Sequence, residues 1–395
     1  MIKNSIALVL TVFLILLLAG CSSEPDEEIP DDIKSLENLT VIPKDQEPSQ
    51  TIDFKRNARF GETEEVVVGE IESIAVDDQE RVFIADGGQN VIHAYKPNAQ
   101  YLRKIGSEGK GPGEFTRIFS LRHQGNRLYA YDSEQDRINT FNLDSFTFSH
   151  AVPLTRENRD IEELSNTSPK SFYVSGNGKL LVSFIEYFSM GNEEDTDRST
   201  LFYWMDQEGN IVSDKVFEQK ARKSITGTAG GGRVVVPAPF GRKSIFVGGP
   251  EDTFYGTWNE DFLIKKYNAK GEYRQAIYYP YSKSPLEIED VLEKFDHEPI
   301  HDLIRNADRP DSWPAIHSMK VDDQSRIWVS TITDDLDSYQ WWVISSEGKL
   351  LAKFTWPRSR SLEVVKNGSA YTHETDEETS VERIVRYGIE MSEAD

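Results

Sequence analysis

The chain has 395 residues, of which 44 are Lys or Arg and 67 are Asp or Glu, for a formal charge of −23. Such an acid surplus argues against nucleic acid as a partner, because neutralising phosphates requires surplus cations. Hydrophobic residues make up 38%, enough for a sizeable core and too few for a multi-span membrane protein, and the single cysteine excludes a disulfide framework or a Cys-based zinc site.

In chain order, Lys3 precedes an apolar run from Ile6 to Leu18 that is too short to span a bilayer comfortably and has the flanks of a secretory signal. The run ends in Leu18-Ala19-Gly20-Cys21. These four residues resemble the bacterial lipobox. The resemblance implies that residues 1–20 are a lipoprotein signal peptide, that Cys21 carries a diacylglycerol, and that the membrane is a partner through this lipid. Residues 21–50 are acidic and Pro-rich, with few large apolar side chains, and read as a flexible tether. Ser22 after the cysteine resembles lipoproteins sorted to the outer membrane. The cluster Glu24, Asp26, Glu27 and Glu28 is similar to surface-export signals of some Bacteroidota lipoproteins. The expected location is therefore the outer membrane, at its periplasmic face or at the cell surface.

The remainder is repetitive. Val76-Asp77-Asp78-Gln79-Glu80-Arg81-Val82-Phe83-Ile84-Ala85 matches Val321-Asp322-Asp323-Gln324-Ser325-Arg326-Ile327-Trp328-Val329-Ser330, each an apolar strand, a tight polar turn and a second strand. Weaker copies lie at Leu121–Ala130, Phe172–Val182, Ser244–Gly256 and Leu362–Thr372. A second hairpin follows each of the first five copies, so each unit has strands A to D, while the sixth stops at its C strand, Arg383–Gly388. Thr51–Phe60 is the expected donor of the missing strand, because pairing it with the last unit closes a ring and removes an open sheet edge. The expected fold is all-β: a six-bladed β-propeller of four-stranded blades over residues 51–390, closed by its N-terminal strand, with a C-terminal tail at 391–395.

The stretch Ile74–Phe115, with its linker Gly109-Lys110-Gly111-Pro112-Gly113-Glu114-Phe115, resembles an NHL repeat. Taken with the lipobox and six units, the chain is similar to the six-bladed, TolB-like propeller lipoproteins common in Bacteroidota. That resemblance implies fold and envelope location without supplying a reaction.

In a propeller, A–B and C–D turns share one face, and B–C and D–A connections share the other. The long insertions here, Glu186–Arg198 and Thr331–Tyr339 (B–C) and Gln219–Arg233 and Tyr281–Ala315 (D–A), all fall on the second face, which is the expected working surface. The longest contains a predicted helical insertion at about 284–308. Ser284-Pro285-Leu286-Glu287 reads as its capping box, and a second helix is predicted from Pro299. His297-Glu298-Pro299-Ile300-His301 matches the zinc-peptidase motif in letters only, because Pro299 interrupts the helix that the geometry needs.

Between Lys215 and Lys243 lie seven basic residues against the single acid Glu218. Lys220, Arg222, Lys223 and Arg233 in this stretch are candidate ligand-binding residues for an anionic partner such as an envelope protein, a glycan or a lipid headgroup. His317 opens the innermost strand of blade five and is a candidate to face the central channel. No catalytic or metal-ligating set can be assembled, and no cofactor is expected. The reading is a lipid-anchored binding or scaffold protein working through its B–C/D–A face. The alternative is a lactonase-like hydrolase or lyase with a divalent metal in the channel.

Overall fold

The computed structural model describes residues 29–394 except 64–65, 156–160, 188–197, 230–231 and 293–297. The signal peptide and Cys21 lie outside the described residues. The chain divides into two units, Met1–Leu36 and Glu37–Asp395. In the described part of the first, residues Asp31–Lys34 form a short helix, α1.

The second unit is a six-bladed β-propeller. Strands β1 (Leu39–Val41) and β2 (Gln50–Phe60) precede blade one, which is β3 (Ile71–Val76), β4 (Val82–Asp86), β5 (Val91–Tyr95) and β6 (Tyr101–Ile105). A short parallel pair, β7 (Ser107–Glu108) and β8 (Glu114–Phe115), leads to blade two: β9 (Ile118–Gln124), β10 (Arg127–Asp132), β11 (Arg137–Asn142) and β12 (Thr147–Pro153). Blade three is β13 (Thr167–Val174), β14 (Leu180–Glu186), β15 (Ser199–Met205) and β16 (Phe217–Lys220). A separate hairpin, β17 (Ser224–Ala229) and β18 (Gly232–Pro237), comes before blade four, β19 (Ser244–Gly248) to β20 (Phe254–Trp258), β21 (Leu263–Tyr267) and β22 (Tyr273–Tyr278). Helices α2 (Ile288–Leu292) and α3 (Glu298–Asn306) separate it from blade five, β23 (Ile316–Val321), β24 (Ile327–Ile332), β25 (Ser338–Ile344) and β26 (Leu350–Pro357). Blade six is β27 (Arg360–Lys366), β28 (Ser369–Thr375), β29 (Glu382–Glu393) and, as its outermost strand, β2.

The ring closes as its strand count requires. β2 runs antiparallel to β29 from Gln50↔Glu393 to Phe60↔Ile384, and Phe60 is fully buried between blades six and one. Each of the six interfaces between consecutive blades holds one apolar cluster. This explains the sequence pattern. Middle strands such as Val82–Asp86 are buried at every residue because a blade has neighbours on both faces, whereas the outer strand β2 alternates.

The duplicated Asp-Asp-Gln turn is closed by its first carboxylate. Asp77 Oδ1 accepts the amides of Gln79 (2.9 Å) and Arg81 (2.8 Å), and its Oδ2 accepts Arg81 Nε. Asp322 repeats these bonds with Gln324, Arg326 and Arg326 Nε, and adds Trp328 Nε1 at 2.9 Å. The Gly-rich linker is also architectural. Gly106 and Gly113 adopt positive φ, and a Cβ on Gly106 would lie 2.5 Å from the Phe115 ring, which fills the interface of blades one and two.

Three expectations need correction. The tether does not extend to residue 50: β1 adds a fifth, parallel strand to blade four (Leu39↔Ala276, Val41↔Tyr278), Ile42 is buried, and the Ser49 amide reaches Leu350 O in blade five. Leu39, Val41 and Ile42 are the apolar residues that an acidic average conceals. The capping box does not start a helix. Pro285 instead bridges Ser312, Leu286 N bonds Asp311 O, and α2 begins at Ile288. The insertion expected at Gln219–Arg233 runs on to Pro237 as a hairpin, β17 and β18. Its hairpin packs on the helices, with Gly227 against Leu303, and Ile225, Phe240, Val291, Leu292 and Ile304 form a shared core. The two D–A insertions thus pack on each other around one shared core.

Candidate functional site

The innermost strands enclose a central cavity of about 910 Å³, within the range of small-molecule sites of about 300–1,000 Å³. Its wall runs from Glu72, Phe119 and Ser171 near the starts of these strands to Asp78, Gly176 and Lys366 at the A–B turns.

Five of the six innermost strands slip register by one residue near their starts. The slips fall at Ile71/Ser73, around Phe119, at Pro169/Ser171, at Ile316/Ser318 and at Leu362/Val364. A bulge leaves one residue unpaired and re-aims its side chain. The bulged residues are Glu72, Phe119, Lys170, His317 and Glu363. Blade four has no slip, and Lys243 directly precedes its inner strand. Serines follow four of these bulges, and three of them are bonded: Ser73 Oγ accepts Leu121 N, Ser171 Oγ meets Ser183 Oγ at 2.7 Å, and Ser318 Oγ meets Ser330 Oγ at 2.7 Å.

Lys170, Arg222 and Lys243 influence one another at blades three and four, and none of the three lines the cavity. Loss of water, then Arg198 and Arg222, holds the Lys170 ammonium below the ordinary lysine range. Loss of water, then Arg222 and Lys170, does the same for Lys243. None of the three cations has a carboxylate within ion-pair distance among the described residues. Arg222 is fixed by donating to Ala238 O at 3.1 Å. At blades six and one, Glu363 and Glu72 line the cavity. Loss of water, then Glu70, raises the Glu72 carboxyl, with Arg117 offsetting and Glu382 adding to the effect. Glu363 is held by Ser361 Oγ at 2.6 Å and lies 3.5 Å from Lys320 Nζ.

At the A–B mouth, Lys366 Nζ donates to Asp78 Oδ1 (2.7 Å) and Val76 O (3.2 Å) and lies 3.4 Å from His123 Nδ1. Burial and then Lys366 lower the His123 pKa. Arg122 lines the cavity, exposed to its solvent, with its guanidinium 5.8 Å from the Phe172 ring. Among the described residues no three His, Asp or Glu side chains converge as a metal ion would require.

The residues singled out from sequence disperse. Arg222 joins the basic side of the ring. Lys220 sits on β16 with its ammonium 5.8 Å from the Trp258 ring, and Lys223 is exposed. Arg233 pairs with Thr228 through its backbone, and its side chain lies outside the described residues. Arg242 is structural: it is buried, donates to Ser312 O, and ion-pairs with Glu260, whose carboxyl this contact, with help from Lys283 and against burial, holds down at about 2. His317 does not line the cavity as expected. Its ring stacks on Tyr339 at 4.2 Å, and the Arg358 guanidinium lies 4.5 Å from that ring. Sequence reasoning missed Glu72, Phe119, Lys170 and Glu363. A signal was present in Glu72-Ser73, Phe119-Ser120, Lys170-Ser171 and His317-Ser318, each a variable residue before serine at the same place in a repeat.

Residues 44–228 match a family described as 6-bladed beta-propeller. No curated protein matches the chain. Among solved structures, a Bacteroides fragilis protein described as exported aligns with 12% identity and a TM-score of 0.52, covering 90% of this chain and all of that one. A Bacteroides vulgatus protein of the duf4221 family aligns with 10% identity and a TM-score of 0.53, covering 88% of this chain and all of that one. At these identities the likeness is one of fold.

Proposed function

We propose that this chain is a lipid-anchored binding protein of the outer membrane, of the NHL-repeat or TolB-like propeller type, that captures an anionic ligand on its B–C/D–A face. The observation that carries this reading is the group Lys170, Arg222 and Lys243. In a chain of charge −23, three cations crowd together at the cost of mutual repulsion, and an arriving anion relieves that repulsion. The propeller supplies a rigid frame, and the cap of hairpin and helices stiffens the loop that carries Arg222. The exported Bacteroides fragilis neighbour supports the location, and the residues before Cys21 support the anchor.

Equilibrium dialysis against inorganic phosphate and short oligogalacturonate tests the binding. The combined change Lys170→Ser, Arg222→Ser and Lys243→Ser is expected to weaken capture at least tenfold with an unchanged melting temperature. Native binding is expected to fade between 0.05 and 0.5 M salt, on the order expected from charge screening. Binding that ignores both the substitutions and the salt would remove this group from the function. The anchor is tested separately. Cys21→Ser is expected to abolish incorporation of labelled fatty acid and to release the protein from the membrane fraction, and normal processing of that variant would refute lipidation.

A further inference from the structure

The wall of the central cavity carries the cations Arg122, Lys320 and Lys366. Two of them are used by the protein itself. Lys366 Nζ donates to Asp78 Oδ1 at 2.7 Å, and Lys320 Nζ lies 3.5 Å from Glu363 Oε2. Arg122 has no carboxylate within ion-pair distance among the described residues. Its contacts are Leu121 O, 2.7 Å from Nη1, and the Phe172 ring, 5.8 Å away. Channel solvent reaches the side chain, while enclosure by the wall lowers its pKa with no acid to offset the effect. The wall acids are engaged elsewhere. Asp252 Oδ1 accepts Gly176 N (3.2 Å) and meets the Tyr173 hydroxyl (3.2 Å), Asp323 accepts the Asn367 amide (2.9 Å), and Asp322 is bound into its own turn. Glu72 and Glu251 stand at opposite mouths, one near the start of β3 and the other in the turn after β19.

Arg122 pairs with Tyr129 in its blade, and Ala75, Tyr173, Val247, Lys320 and Val364 hold the same position in the other five. All six line the cavity. The Tyr173 hydroxyl donates to Gly249 O, Lys320 is beside Glu363, and Ala75, Val247 and Val364 have no side-chain donor. One planar fork is therefore what this level offers an anion. It matches the two oxygens of a single carboxylate, whereas a phosphate or sulfate would keep oxygens without a donor. Apolar surface lies beside the fork. Phe246, Val247 and Val364 are half-buried on the wall. Phe119, on the same strand as Arg122, is 44% exposed and is held edge-on to Tyr131 at 6.2 Å. Three residues separate Phe119 from Arg122, which is about 10 Å along the channel at about 3.3 Å per residue.

We propose that the channel binds an apolar monocarboxylate, its carboxylate on Arg122 and its hydrocarbon body of about 10 Å running past Phe246 toward Phe119. A cavity of about 910 Å³ admits a body of this length. The site is separate from Lys170, Arg222 and Lys243, none of which lines the cavity, so the proposal goes beyond the anion reading above and does not depend on it.

The test is equilibrium dialysis of the purified protein against labelled decanoate, with decanamide, acetate and inorganic phosphate as competitors. Decanoate is expected to be retained, and decanamide and acetate are each expected to compete at least tenfold less well than unlabelled decanoate. Arg122→Gln is expected to weaken retention at least tenfold with an unchanged melting temperature. Arg122→Lys, which keeps the charge and loses the fork, is expected to fall between the two. Phe119→Ser, at the other end of the ligand, is expected to weaken retention at least threefold. Phosphate is expected not to displace decanoate, and its own capture is expected to survive Arg122→Gln. Competition by decanamide or acetate equal to that of decanoate would overturn the proposal. Displacement by phosphate, or full retention by Arg122→Gln, would do the same. A native protein that retains no decanoate would also overturn it, and phosphate capture by that protein would leave the anion reading standing.

Discussion

A chain that begins at Gly61 is expected not to fold. It lacks β2, and blade six then ends on β29 with its outer edge unpaired. The loss removes a ladder running from Gln50↔Glu393 to Phe60↔Ile384, together with buried Phe60 and the contacts of Ile52 and Phe54 with blades five and six. Burying Phe60 alone is worth about 2–3 kcal/mol, and the exposed interface adds more. Together these approach the whole stability of an ordinary domain, about 5–15 kcal/mol. A chain that begins at Gln46 keeps the closing strand and loses only β1 and Ile42. It is expected to fold with a loss of about 2–4 kcal/mol, the cost of one buried Ile and a three-residue ladder. Denaturant unfolding followed by circular dichroism separates the cases. Equal midpoints for the chains starting at Gly61 and Gln46 would refute closure by β2.

Asp86→Ala is expected to destabilise the domain by about 3–5 kcal/mol, the range for breaking a buried charged network by removing one partner. Asp86 is fully buried at the end of β4. It accepts the amides of Gly69 (3.0 Å) and Gln89 (3.1 Å) and the Gln89 side chain (2.9 Å), and it lies 3.4 Å from His93 Nε2. Removing the carboxylate takes away the common acceptor that ties Gly69, Gln89 and His93 to the end of β4. Asp86→Asn keeps an acceptor and is expected to cost less, about 1–2 kcal/mol. The pH dependence has a definite sign. Burial opposes ionisation, but the bonds from His93, Gly69 and Gln89 outweigh it and hold the folded pKa below the ordinary aspartate value. The contribution is therefore present above about pH 4 and is lost as the pH falls below it. The native protein should lose stability on acidification below pH 4 more steeply than Asp86→Asn. Parallel pH profiles for the two would remove Asp86 from the account.

Much of the candidate site was only half legible. The basic stretch from Lys215 to Lys243 is visible as a run of charge, but a run of charge does not reveal where each side chain ends. Arg242 and Lys243 are adjacent in sequence, yet Arg242 turns into a buried pair with Glu260 while Lys243 joins Lys170, 73 positions earlier. His317 was expected in the channel because it opens an inner strand, but the strand slips there and its ring packs on Tyr339. The helical insertion is legible in the sequence, but its first helix starts later than the capping box, because Pro285 and Leu286 find partners in residues 311–312.

The sequence by itself determined the six repeats, the closing strand and the tight Asp-capped turns. These depend on local physics: alternation of apolar residues, turn side chains that bond backbone amides two to four residues away, and a strand count that leaves one edge short. Only the tertiary structure decided which charges meet. Asp78 and Lys366, or Lys320 and Glu363, are far apart along the chain. They meet at the channel wall because ring closure sets blade six beside blades one and five. No local propensity encodes that juxtaposition, which arises from the number of blades.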